Sequence, residues 1–182
     1  MTLSGTVIFS PCGTFRYRLE RSLGQDGPVV AILGVNPSTA TADIDDQTIR
    51  KDVGFGRRLG WSHIIKGNLF AFRATDVREL RTAADPVGPD NDNHLEQIMR
   101  DADVIVAAWG AKAKLPWLLR NRYLRIRRIS ERVGKPLMCW GQTKDGSPRH
   151  PLMLAYTTPL ELWYDGTAGR FQAIRALEQA DR

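Results

Sequence analysis

Four short stretches hold the residues best suited to chemistry. GlyValAsnProSer at 34–38 sets an amide between a glycine and a proline, directly after the apolar run Val29–Leu33. AsnLeuPheAlaPheArgAlaThrAsp at 68–76 closes a second such run, and TrpGlyAlaLys at 109–112 follows a third. TrpGlyGlnThrLysAspGlySerProArgHisPro at 140–151 follows a fourth. Gly34, Gly110 and Gly141 permit close approach of backbone to a ligand. Asn36, Asn68 and His150 offer uncharged donors and acceptors. Each stretch also has a plainer role. Asn-Pro-Ser is a good turn, because Asn tolerates turn geometry and Pro fixes φ. His150 between Arg149 and Pro151 can be an ordinary loop residue.

Other site types find no support. The chain lacks the GxxxxGK[ST] phosphate loop, and Gly54-Phe-Gly56 lies in a helix-like stretch without the third glycine of GxGxxG. HExxH is absent, and Ser10, Ser38 and Ser147 lack the GxSxG setting of a nucleophile elbow. Cys12 and Cys139 match no zinc or iron–sulfur spacing. Asp43, Asp45 and Asp46 read as a solvated turn and helix cap rather than a metal site. No metal, iron–sulfur cluster or other cofactor is expected.

The elements that must position these residues follow from hydrophobic periodicity. ThrValIlePhe at 6–9 reads as a strand. Phe15, Tyr17 and Leu19 alternate with Arg16, Arg18 and Glu20, the pattern of a second, half-exposed one. Continuous apolar strands are expected at 29–33, 63–70, 104–109 and 136–140. A helix capped by Asp46 or Thr48 runs to about Leu59, another covers 93–101, a basic one covers about 113–133, and a last one spans about 169–179. Strands apolar throughout, alternating with helices, predict a three-layer α/β/α sandwich. Its centre would be a mainly parallel four-stranded sheet, joined by an N-terminal strand pair. Such sheets bind ligands at the carboxyl ends of their strands, where all four stretches fall.

The totals set bounds. The chain has 182 residues, 42% of them hydrophobic, which fits one domain over 1–182 burying roughly 70% of its unfolded surface. The formal charge of +6, from 26 Lys and Arg against 20 Asp and Glu, permits an anionic partner without requiring one. Apolar runs reach about eight residues, far short of the ~20 that cross a bilayer. The N-terminus has no basic region ahead of an apolar one. A cytoplasmic protein with no membrane partner is expected.

The order LGVNPS, GNLFAFRAT, AAWGAKA and RHPLML resembles the uracil-DNA glycosylase superfamily over about residues 29–155. The chain is also similar to an uncharacterised bacterial and phage domain family with the pattern NPST, NLFAFRAT, WG and RHPL. The superfamily resemblance implies a uracil-DNA glycosylase-like fold and hydrolysis of an N-glycosidic bond. It implies that Asn36 positions the attacking water, as in the mismatch-specific branch, and that Asn68 reads the edge of the base. His150 would bond the departing base's carbonyl oxygen as negative charge develops. Gly34, Pro37, Ser38, Phe72, Arg73, Trp109 and Gly110 complete the implied binding surface. Ser38 stands where uracil-specific members carry a shielding aromatic, which implies a wider pocket. Asp46, Asp76 and Asp145 are the motif-adjacent carboxylates available as acid or base, and each also suits a cap or turn.

The implied function is excision of a modified or damaged base from DNA, a base-excision type of repair chemistry. One alternative is an N-glycoside hydrolase or base-exchange enzyme acting on free, modified nucleotides. Another is a non-catalytic nucleic-acid or base-binding module, to which Asn36 in place of a carboxylate would be suited. Arg73, Arg78, Arg81 and the arginine-rich segment after Arg120 are the phosphate contacts that either DNA reading would use.

Overall fold

The computed structural model describes residues 5–38, 40–41 and 44–163. Seven strands form one sheet: β1 (Val7–Phe9), β2 (Arg16–Ser22), β3 (Val29–Gly34), β4 (His63–Asn68), β5 (Val104–Ala107), β6 (Leu137–Cys139) and β7 (Glu161–Leu162). Their spatial order is β1-β2-β4-β3-β5-β6-β7. Three helices accompany them: α1 (Gln47–Leu59), α2 (Asn91–Asp101) and α3 (Tyr123–Val133). The helix expected at 169–179 lies outside the described residues.

The expected mainly parallel four-stranded sheet with a separate N-terminal pair is corrected. The sheet is mixed. β4-β3, β3-β5 and β5-β6 pair parallel, whereas β1-β2, β2-β4 and β6-β7 pair antiparallel. The N-terminal strands are therefore part of the same sheet. The physical reason is edge protection. Four parallel strands alone would leave two rows of unpaired backbone groups. β2 closes one edge by pairing Leu19 to Ser22 with Lys66 to His63, and β7 closes the other through Met138↔Leu162 and Cys139↔Glu161. A two-residue strand such as β7 carries too little periodicity to be seen in sequence.

Alternation along the strands builds a core on each face. Val30 and Ile32 of β3 pack with Ile64, Val106 and the α1 residues Ile49, Val53 and Phe55. Ala31 and Leu33 pack on the other face with Ile65, Ile105 and Ala107, against Leu95 and Ile98 of α2 and Ile126 and Ile129 of α3. Asp46 caps α1, its Oδ1 accepting from the Ile49 N–H at 2.8 Å. The basic helix begins later than its sequence suggests, because 112–114 and 117–119 are separate single turns. Leu118, inside the segment expected to be that helix, is consequently 72% exposed.

A buried ion pair fastens α1 to β4: Lys66 Nζ donates to Asp52 Oδ2 at 2.6 Å, with both side chains enclosed. Burial pushes the Asp52 carboxyl upward, against the pull of Lys66. Its Oδ1 has no hydrogen-bond partner among the described residues. Removing one member leaves the other charge buried and uncompensated, whereas replacing both with apolar groups does not. Lys66→Met should thus cost about 3–5 kcal/mol in urea denaturation, and Asp52→Leu combined with Lys66→Met should recover most of that loss.

Candidate functional site

The carboxyl ends of β3 and β4 are stitched together by backbone bonds. Leu69 N–H donates to Gly34 O and Phe70 N–H to Val35 O, each at 2.9 Å, and Ala74 N–H to Pro37 O at 3.0 Å. Asn36 adds its side chain, with Nδ2 donating to Ala74 O at 2.7 Å and Pro37 O at 3.2 Å. Its Oδ1 receives no hydrogen bond from any described residue, so the oxygen is the end of the amide left to orient a donor such as water. In the register, Gly34 lies opposite Asn68. A Cβ at position 34 would sit 2.9 Å from Asn68 Oδ1 and 3.4 Å from Lys66 Cε. A side chain at 34 would therefore push the Asn68 amide from its present place.

Asn68 is 3% exposed, yet its amide bonds to no described residue. Its backbone is held instead. Asn91, at the start of α2, donates from Nδ2 to the carbonyls of Asn68 and Leu69, and Arg122 Nε donates to the Leu69 carbonyl. The side-chain amide atoms are not sealed in protein. They face a cavity of about 610 Å³ at the strand ends, within the range that holds small molecules.

His150 reaches the same cavity from a hairpin over 141–149. Thr143 N–H donates to Ser147 O, Arg149 N–H to Gly141 O, and Gly110 N–H to Pro148 O. Gly110 has φ 77°, and a Cβ there would lie 3.4 Å from His150 Cβ. His150 Nδ1 accepts from the Leu152 N–H at 3.3 Å, which places the proton of the neutral ring on Nε2. Burial, with Lys66 and Lys114 nearby, lowers the His150 pKa to about 4, against the opposing pull of Asp46. The ring is therefore an uncharged N–H donor at neutral pH.

Gly34, Asn36, Ser38, Asp46, Asn68, Asp76, Trp109, Gly110 and His150 all line this cavity. Trp109 is also core, packed edge-on against Trp163 at 5.1 Å. Four expected residues do not line it. Pro37 contributes its carbonyl to the loop stitching. Phe72 packs edge-on against Phe15 at 6.4 Å. Arg73 is exposed, donating to the Gly13 carbonyl and lying over the Phe9 ring. Asp145 organises the hairpin, accepting from Thr143 Oγ1 and Ser147 N–H with one oxygen and from Ala113 N–H with the other. Those bonds hold its pKa at about 2, against its burial.

Of the cavity carboxylates, Asp76 is occupied by Arg78. The Arg78 guanidinium and backbone N–H hold its carboxyl below the ordinary range. Asp46 spends one oxygen on the α1 cap. Sequence reasoning missed Arg16, Lys66, Thr48, Thr75 and Lys114, which also line the cavity. Lys66 left a signal, a single charge inside an apolar strand. Arg16 left a misleading one. The register shift between Ile8 and Phe9 pairs Ile8 with Arg18 and Phe9 with Arg16, so Tyr17 is the extra residue of a bulge. A bulge re-aims side chains, and Arg16 is buried where simple alternation sets it outward.

Most of the arginine-rich segment is consumed internally. Arg122 and Arg125 pair with Asp92, Arg132 pairs with Glu96, and Arg127 pairs with Glu131. It is therefore a scaffold between α2 and α3 more than a free phosphate-binding face. Met153 and Leu152, beside His150, are exposed, Met153 at 89%. No cluster of His, Cys, Asp or Glu among the described residues could hold a metal ion. No described helix is long and apolar enough to cross a membrane.

Fold and cavity together define a protein with one mixed seven-stranded sheet, helices packed on both faces, and a cavity at the carboxyl ends of its parallel strands. Residues 16–152 match the family described as "Protein of unknown function (DUF1643)", and the chain belongs to it. No curated protein matches the chain, and no solved structure does.

The His150 geometry has a measurable consequence. An NMR titration of its ring should show a midpoint near 4 and no change between pH 6 and 8. Because the folded value lies below the ordinary 6.5, the unfolded chain takes up the proton first. The stability this group contributes is complete above about pH 6.5 and is lost as pH falls towards 4.

Proposed function

We propose that the chain is a DNA N-glycosylase-like enzyme that hydrolyses the N-glycosidic bond of a modified or damaged base. The observation that carries this reading is the Asn68 amide, buried, without a described protein partner, and open to the same cavity as the neutral His150. Such an amide presents one donor and one acceptor to a ring edge bearing a carbonyl and an N–H. Leaving it unmet costs about 1–3 kcal/mol, so a complementary base is favoured over one that lacks those groups.

The three neutral groups divide the reaction. Asn68 holds the base by its edge. His150 Nε2–H donates to the base oxygen as the C–N bond breaks and negative charge collects there. Asn36 Oδ1 accepts from the attacking water and orients it towards the sugar's anomeric carbon. An amide cannot remove the water's proton outright, so the reaction leans on stabilising the leaving base. The resemblance of the four strand-end motifs to the uracil-DNA glycosylase superfamily supports this assignment.

A second reading, the same bond cleaved in a free nucleotide, is favoured by one observation. Two of the three cations lining the cavity among the described residues, Arg16 and Lys66, are buried within it rather than spread on an open face, and only Lys114 is exposed.

Incubation with duplex and single-stranded oligonucleotides carrying a panel of modified bases should yield alkali-labile sites, and the free-nucleotide panel should be run in parallel. His150→Ala should lower the turnover of whichever substrate reacts by about 10²–10³. Asn68→Ala should abolish discrimination between bases, and Asn36→Ala should reduce turnover while binding persists. A complete panel without product, with the Asn36→Ala and His150→Ala variants binding as the wild type does, would overturn the enzymatic reading.

A further inference from the structure

Arg16 stands apart from the other arginines of its strand. Arg18 has Glu20 and Asp101 as partners, and Arg21 has Asp45. Arg16 is only 3% exposed, and its guanidinium makes one hydrogen bond to a described residue, from Nη1 to the Ala40 carbonyl at 2.7 Å. No described carboxylate lies within ion-pair distance of it; Asp46 acts on it only through space and is engaged at the α1 cap. Burial lowers its pKa to about 10, so it stays charged at neutral pH. A guanidinium offers five N–H donors, and here the groups beyond the Ala40 bond are not sealed in protein. The space they meet is the cavity that Asn68 and His150 also line.

A buried cation is costly unless an anion and hydrogen bonds compensate it. The cavity, at about 610 Å³, is also larger than one heterocycle needs. Lys114, on its exposed side, adds a second positive charge.

We propose that Arg16 is the docking point for a phosphate ester, so that the ligand is a nucleotide held at both ends: its base by Asn68 and His150, its phosphate by the Arg16 fork. The guanidinium geometry suits two oxygens of one phosphate, which a lysine cannot match. This rests on the proposed reading only for the identity of the base end. The phosphate end stands on Arg16 itself. The phosphate belongs either to a free nucleotide or to the strand on one side of a flipped one.

The test is calorimetric binding of 2′-deoxyribose 5-phosphate, with 2′-deoxyribose and inorganic phosphate as controls. The wild type should bind the phosphorylated sugar and phosphate but not the bare sugar. Arg16→Gln should weaken both by about 10- to 100-fold, the loss expected for hydrogen bonds to a charged group. Arg16→Lys keeps the charge and should lose a smaller share, which covers the case in which Arg16→Gln fails to fold. Asn68→Ala should leave phosphate binding intact, so a failure of the base assignment is distinguishable from a failure here. An oligonucleotide with a tetrahydrofuran abasic analogue then decides the source. Competition with the sugar phosphate assigns the phosphate to a strand, and absence of competition assigns it to a free nucleotide. Equal affinity of the wild type and Arg16→Lys or Arg16→Gln for the sugar phosphate would overturn the proposal, as would a wild type that binds none of the phosphorylated probes.

Discussion

A primary amide at a buried position that bonds to no described protein group must be completed from the cavity it faces, and this chain places such an amide at Asn68. Much of the strand-end architecture exists to hold that side chain where it is. Gly34, opposite in the register, leaves it room. Asn91 and Arg122 clamp the carbonyls of the backbone that carries it. The clamp is itself under-satisfied, since Asn91 Oδ1 is buried without a hydrogen-bond partner among the described residues. Buried polar groups that a fold leaves unpaired usually mark a site where something else completes them. The same holds for Arg16, which shares the cavity.

The charge of the molecule supports a site that works from inside. The +6 excess suggests a basic face for polyanions, but Arg122, Arg125, Arg127 and Arg132, at and along α3, are tied to Asp92, Glu131 and Glu96. Arg73 and Arg78 are likewise engaged, with Gly13 and Asp76. Arg16 and Lys66 instead lie buried against the cavity, with Asp46 and Asp76 on the same lining. Recognition built this way depends on desolvated, directed bonds more than on a screened field. Surface ion pairs of the α2–α3 kind contribute little stability each. Their main effect is to fix the helix start that presents Asn91.

Much of this was legible in the sequence, and the failures have physical causes. The runs at 29–33, 63–70, 104–109 and 136–140 form β3, β4, β5 and β6, because strands buried on both faces are mostly apolar, with Lys66 and Asn68 of β4 as the buried polar exceptions. The glycine and amide positions were visible because they interrupt or directly follow apolar runs, and Gly110 and Gly141 do adopt positive φ. The sheet's mixed character was not visible, since β2 pairs with β4 across more than 40 residues of chain and β7 is two residues long. Arg16 was hidden by a bulge, which breaks the period-two rule on which its placement relied. Asp145 looked available because acidic loop residues all look alike in sequence. Only the hairpin's own hydrogen bonds show that it is engaged.

The groups gathered at the strand ends constrain any chemistry there. His150 is an uncharged donor, because burial beside two lysines expels its second proton. Asn36 offers an oxygen and no base. Asp46 and Asp76 are partly spent on caps. A site so composed is poor at abstracting protons and good at accepting charge that develops on a departing group. On the proposed reading it therefore suits a bond whose rupture is helped more by a stabilised leaving group than by a strong nucleophile. An N-glycosidic bond to an electron-poor base has that character, because the sugar's own oxygen shares the positive charge left behind and a merely oriented water can then complete the reaction.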